Sequence, residues 1–240
     1  KVTRILSEHG QQLQRDKLRL TDAISDISHQ VKTPLTSMLV LVELLRDERL
    51  PAEKRHEFVQ RIQSQLERLD WLISSLLKMS KIDAGTAMFK QERVLVEPLV
   101  KKALEAVAIP MDIKSQTVTV EGDPQTAFTG DPEWTCEALI NILKNGVEHT
   151  PEGGRLSVTY GENALFTEIV IQDSGPGIPK EDLPHIFKRF YRGKQASENS
   201  VGIGLAMANS IVTNQHGAIE VESKPGQGAR FRVVFYKGIL

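Results

Sequence analysis

The chain has 240 residues, 40% hydrophobic and 25% charged, which suits a globular protein with one large or two modest domains. Thirty basic against 31 acidic residues leave a net charge of −1, so nothing in the balance favours nucleic acid or an anionic membrane surface. The single cysteine, Cys136, excludes an intrachain disulfide, fits a reducing compartment and reads as a buried structural thiol rather than a nucleophile.

The first twenty residues are polar and helix-favouring, with no capping signature at the start. They predict a chain that opens in mid-helix and belongs to something longer. No run of 18 apolar residues and no secretory signal is visible. In the first helix Ile24, Ile27, Val31, Leu35, Met38, Val42 and Leu45 recur at steps of three and four, ending in the polar turn Arg46 to Pro51. A second helix carries Phe58, Ile62, Leu66, Leu69, Ile73 and Leu76 and stops near Asp83-Ala84-Gly85. Two antiparallel helices with one apolar stripe each bury little by themselves. Pairing with a second copy as a four-helix bundle, a homodimer, is the expected solution, and packing on the rest of the chain is the alternative.

Within the first helix, His29 shares its face with Asp26 one turn before and with Lys32 and Thr33 one turn after. Pro34 removes a backbone donor beside it and should loosen the helix there. An imidazole in polar company suits a group that two different surfaces must reach.

After Gly85 the texture changes. Val118 and Val120, then Leu156, Val158 and Tyr160, then Ile169 to Ile171, then Ile219 and Val221, and finally Phe231, Val233 and Phe235 read as short strands. A hairpin at Gly161-Glu-Asn-Ala joins two of them, and helices are expected at about 97–108, 132–148 and 203–215. This order argues for an α+β sandwich, a sheet with helices on one face. The domains divide as 1–85 and 90–240, with the boundary near 85–92.

Four segments of the second domain carry chemistry. Asn141 and Asn145 project from one helix face, and their carboxamide oxygens suit a magnesium ion that carries triphosphate charge; a plain polar face is the alternative. Asp173-Ser-Gly175-Pro-Gly177-Ile178-Pro follows an apolar strand. There a carboxylate can accept from an exocyclic amine while two glycines let a flat heterocycle approach the backbone. His185 to Lys194 combines aromatic anchors with the cations Lys188, Arg189, Arg192 and Lys194, which would screen phosphate. Ser200-Val-Gly202-Ile-Gly204-Leu205 is a glycine-rich turn opening a helix, a ready anion site. Between the last two segments, residues 193–201 have the composition of a flexible lid.

The His29 segment and these four blocks, in this order, resemble the sensor histidine kinases of two-component signalling, from about residue 20 to 237. The resemblance implies a dimerisation and histidine-phosphotransfer domain followed by an ATP-binding domain of the Bergerat (GHKL) fold shared by gyrase, Hsp90 and MutL. It implies His29 as phosphoacceptor, Asn141 and Asn145 in the magnesium-binding block, and Asp173 reading adenine in a pocket shaped by Gly175 and Gly177. Arg189 and Arg192 then belong to the phenylalanine-containing block, and Gly202 and Gly204 to the last glycine block. ATP with Mg2+, a response-regulator receiver domain, a second copy of the chain, and membrane attachment through upstream segments of a bacterial inner- or plasma-membrane sensor follow as expectations.

Four positions depart from common family usage. Gln30 stands where an acid usually serves the second imidazole nitrogen, Glu148 where a lysine often reaches phosphate, and His149 where a tyrosine often lines adenine. Ser200 replaces the first glycine of the last block. Thr33 keeps the position linked to phosphatase action on the regulator. An ATP hydrolase of the gyrase type is disfavoured because Asn141 occupies the place of its glutamate base. A nucleotide-binding dimeric scaffold, or a regulator phosphatase with weak autokinase activity, remains the alternative.

Overall fold

A computed structural model describes the backbone of residues 2–193 and 200–238, with side chains at 21 and from 24 onward. Two long helices come first, α1 (Val2–Leu45) and α2 (Ala52–Asp83). α1 runs through Pro34 without interruption, and Pro34 itself is buried. Arg55 of α2 donates to the carbonyls of Leu45 and Asp47, supplying the cation that the last turn of α1 lacks.

The chain forms two compact units, Lys1–Leu76 and Leu77–Leu240. In the first, the expected stripes divide. Of their members Met38 is buried, Ile27, Val31, Leu45, Phe58, Ile62, Leu69 and Leu76 are half-buried, and Ile24, Leu35, Val42, Leu66 and Ile73 are exposed, while Pro34, Leu41 and Leu72, outside the expected stripes, are buried. A single helical hairpin covers only one side of each stripe. Val59, Leu66 and Ile73, seven residues apart, remain open to solvent. The break between units falls inside α2, ahead of the change in sequence texture at 85–92. Met79 and Ile82 are nearly inaccessible and bind the last turns of α2 into the second unit.

The second unit is built on a five-stranded sheet in the order β2 (Thr117–Gly122), β4 (Arg155–Glu162), β5 (Phe166–Asp173), β7 (Ala229–Tyr236), β6 (Gly217–Ser223). Only the β2–β4 pair is parallel. Helices α5 (Pro132–His149) and α6 (Gly204–Asn214) pack on each other and on the sheet, with α3 (Val96–Glu105) against α5. Leu139, Ile142, Leu143, Ile169, Met207, Ile211 and Phe231 form the core between helices and sheet. On the other face Arg232 bridges Glu168 and Glu220, a charged ladder suited to water. The fold is the α+β arrangement expected.

Two local features differ from expectation. The helix expected at 97–108 is α3 followed by a separate short α4 (Ala108–Ile113), because Pro110 has no N–H to continue the ladder through buried Val107. An additional two-stranded antiparallel sheet pairs β1 (Glu92–Leu95) with β3 (Ala127–Gly130). Four-residue strands without alternation leave little signal in a sequence.

Candidate nucleotide and phosphoacceptor sites

His29 lies in the middle of α1 with its side chain exposed, as are those of Asp26, Lys32 and Thr33. The Thr33 hydroxyl donates to the His29 carbonyl at 3.1 Å, an i to i+4 back-bond that keeps this hydroxyl off the ring. Gln30 is half-buried. Among the described residues no side chain hydrogen-bonds the imidazole, so both ring nitrogens are open to an incoming surface.

The second constellation starts with α5. Asp131 caps it by accepting from the amides of Glu133 and Trp134 at 2.9 Å, and Pro132 occupies the first turn. This fixes the phase of the helix, which buries Leu139, Ile142 and Leu143 and turns Asn141 and Asn145 to one side. Asn141 is 5% exposed; its Nδ2 donates to the Glu137 carbonyl at 2.9 Å. Its Oδ1 lies 3.0 Å from where a side chain on Gly204 would begin, so the carboxamide oxygen meets the first residue of α6. Asn145 and His149 are half-buried one and two turns further on. Gly146, against Leu156 and the Asp173 Cβ, lets α5 approach β5 closely.

Asp173 ends β5, and its carboxylate is buried. Oδ1 accepts from the amides of Gly175 at 2.8 Å and Ala229 at 3.2 Å. Among the described residues no bond falls on Oδ2, which leaves it for a ligand's donor. Burial pushes this carboxyl above its ordinary range; the two amide bonds and nearby His149 offset only part of that. A Cβ on Gly175 would lie 2.9 Å from Asp173 Oδ1 and 3.0 Å from the His149 carbonyl. Gly177, at φ +77°, presses on the Lys224 carbonyl, and the Ile178 amide donates to Ser223 Oγ at 2.8 Å. Backbone of Gly175, Gly228 and Ala229 thus comes close to Asp173.

The phenylalanine block and the last glycine block meet directly. Phe190, at φ +61°, donates its amide to the Gly202 carbonyl at 2.8 Å, and Gly202, at φ +76°, leaves no room for a Cβ against Tyr191. The Tyr191 hydroxyl donates to buried Asp182 at 2.6 Å. α6 then begins at Gly204 with no side-chain cap, and half-buried Leu205 follows. Arg192 is exposed, and Arg189 pairs with Asp83. Residues 194–199, and with them Lys194 and most of the expected lid, lie outside the described residues.

Sequence reasoning missed two supports. The Lys114 ammonium donates to the carbonyls of Val147, Glu148 and Thr150 at 2.8, 2.7 and 3.2 Å, closing the end of α5. Gln116 adds bonds to Val147 and Thr150. Nothing local in the sequence announces a cation that caps a helix more than thirty residues away. Gly228, at φ +76°, packs over the Asp173 carbonyl, and the pair Gly226-Gln-Gly228 before the last strand was a legible turn signal.

Comparison with known proteins matches both parts of the chain. The family described as His Kinase A (phospho-acceptor) domain matches residues 19–85. The family described as histidine kinase-, DNA gyrase B- and HSP90-like ATPase matches residues 130–238. The sensor-like histidine kinase SenX3 of Mycobacterium tuberculosis is 28% identical over 213 residues, 88% of this chain and 52% of its own length. The sensor protein SphS of Synechococcus elongatus is 33% identical over 218 residues, 85% of this chain and 52% of its own. The chain thus spans about half the length of the curated relatives it matches. Histidine kinase ThkA, solved in complex with the response regulator protein TrrA, shares the fold with a TM-score of 0.76 at 19% identity, over 93% of this chain and 64% of that one. With the phospho-acceptor domain first and the ATPase-like domain after it, the chain belongs to the sensor histidine kinases of two-component signalling.

Proposed function

We infer that this chain is the kinase core of a two-component sensor. It transfers the γ-phosphoryl group of ATP to His29 and passes it on to an aspartate of a response regulator. Residues 1–85 serve dimerisation and phosphotransfer, and residues 90–240 bind the nucleotide. The observation that carries this reading is the convergence around the end of β5: the Oδ2 of buried Asp173, backbone walls at Gly175 and Gly177, and the Asn141 carboxamide oxygen against the uncapped start of α6. Asp173 accepts the exocyclic amine of adenine, and the carbonyl edge at His149 and Ile178 line the base. The first amides of α6, from Gly204 and Leu205, receive phosphate oxygens, and Arg189 and Arg192, in the segment whose Phe190 amide bonds the Gly202 carbonyl, supply positive charge.

Among the described residues no cluster of three His, Cys, Asp or Glu side chains could hold a metal. A magnesium ion here would rely on nucleotide phosphates and on Asn141 and Asn145, whose neutral oxygens fit an ion with its charge already balanced. When bound, it neutralises charge on the departing diphosphate. Asn141 is held by its bond to the Glu137 carbonyl and presents only its oxygen.

In the transfer, a neutral His29 nitrogen forms a bond to the γ-phosphorus while the bond to the β–γ bridging oxygen breaks and ADP leaves. Gln30 can orient the ring but cannot take the proton from the other ring nitrogen, which passes to water. The exposed Val59, Leu66 and Ile73, with Leu35 and Val42 on α1, fit a second copy of the chain. ThkA, which shares this fold, was solved in complex with the response regulator protein TrrA, and this supports a response regulator as the partner. Among the described residues no helix is long and apolar enough to cross a membrane, and the attachment we propose lies in upstream segments.

Incubation with γ-labelled ATP and magnesium tests the reading. Acid-labile, alkali-stable label is expected on the native chain and not on His29→Gln. Equal label on both would overturn the assignment of His29, and nucleotide binding without label on either would favour the scaffold alternative.

A further inference from the structure

Arg189, one of the two arginines assigned to phosphate, is engaged by a carboxylate. Its Nη2 lies 2.6 Å from both Asp83 oxygens. Asp83 is the last residue of α2, in the turns that belong to the second compact unit. Those turns are held in place. Met79 and Ile82 are buried, and Lys78 Nζ pairs with Glu137 Oε2 at 3.0 Å. Glu137 is the residue whose carbonyl holds the Asn141 carboxamide. One helix end is thereby tied to both sides of the nucleotide site: to α5 through Lys78, and to the phenylalanine block through Asp83. Arg189 in turn immediately precedes Phe190, which is hydrogen-bonded to the glycine turn that opens α6.

We propose that Asp83 is a stand-in for phosphate on Arg189, so that nucleotide and the end of α2 compete for one guanidinium. This rests on the nucleotide reading above. A carboxylate spanning one guanidinium nitrogen with both oxygens presents the same charge and atom types as two oxygens of a phosphoryl group. With the nucleotide absent, the pair neutralises Arg189 and holds the end of α2 against the phenylalanine block. As the triphosphate enters, Arg189 transfers to it, and the end of α2 is released on that side. The consequence for the kinase is a link between filling of the nucleotide site and freedom of the helix that leads to the phosphoacceptor hairpin.

The pair is half-exposed on both partners, so solvent screens it. Competition of this strength changes affinity by about two- to fivefold.

The experiment is a titration of the chain with a non-hydrolysable ATP analogue and magnesium, comparing wild type, Asp83→Asn, Arg189→Gln and the double variant. Asp83→Asn is expected to bind about two- to fivefold more tightly, a gain that misfolding does not produce. Arg189→Gln is expected to bind more weakly, and adding Asp83→Asn to it should change nothing further. Asp83→Asn binding no more tightly than wild type would overturn the proposal while leaving the nucleotide site intact. So would an equal gain in the Arg189→Gln background, since that would reflect only the removal of a negative charge near a polyphosphate. Absence of binding in all four chains would overturn the nucleotide reading and this inference with it.

Discussion

Gly228 offers a sharp test of how the Asp173 carboxylate, which we propose reads adenine, is held. It sits at φ +76°, and a Cβ added there would lie 1.9 Å from the Asp173 carbonyl oxygen. Gly226, two residues earlier, has nearly the same backbone, φ +79°, but open space around it. Gly226→Ala therefore carries only the left-handed conformational cost, about 1–2 kcal/mol. Gly228→Ala carries that cost plus an opening of roughly 1.5 Å before ordinary contact is restored, an overpacking worth about 1–3 kcal/mol more. For a domain of this size each kcal/mol moves Tm by about 2–4 °C. Thermal melts should rank wild type, then Gly226→Ala, then Gly228→Ala. Nucleotide titration should separate the two variants further. The backbone shift moves Asp173, so Gly228→Ala is expected to lose about tenfold or more in Kd, with Gly226→Ala close to wild type. Equal affinities in the two glycine variants would refute the claim that Gly228 positions Asp173.

Asp173→Asn should raise Tm at neutral pH while weakening nucleotide binding. The wild-type carboxyl is pushed up by burial, so the folded chain holds its proton to higher pH than the unfolded chain does. The stability this contributes is full below the unfolded pKa and is lost as pH rises through the folded one. The neutral amide escapes that loss, so the Tm gap is expected to close as pH falls toward about 4; a gap that widens on acidification would contradict the burial argument. Lys114→Met should cost about 1.5–3 kcal/mol in denaturant melts by stripping the end of α5 of its cation, with Lys114→Arg recovering part of it. Indistinguishable melts for wild type and Lys114→Met would remove Lys114 from the account. Gln30→Glu is expected to label His29 faster than wild type in the first minutes of a γ-labelled ATP assay, because a carboxylate can take the proton from the second imidazole nitrogen. Unchanged or slower labelling would count against that role.

Most of the architecture was legible because its signals are local. The apolar steps of α1 and α2, the alternation in β4 and β7 and the hairpin at Gly161 each depend on residues close in sequence. The site blocks were legible for the same reason. Asn141 and Asn145 share a helix face by spacing alone, and the glycines at 175, 177, 202 and 204 mark places where backbone must come close to something.

What that something is, only the tertiary structure decided. Gly204 faces the Asn141 oxygen, Gly175 the His149 carbonyl, and Gly202 the backbone of Tyr191, none of which a linear reading can pair. The division of each helical stripe into a buried and an exposed side depends on which neighbour the hairpin supplies. The membership of Leu77 to Asp83 in the second unit depends on where Met79 and Ile82 find cover. Lys114 at the end of α5 and Asp83 on Arg189 are charges whose partners lie 33 and 106 positions away. The sequence by itself determined which segments were helix, strand and glycine turn, because those follow from short-range sterics and periodicity. Long-range packing decided which charges and carbonyls meet, because only the folded chain sets those distances.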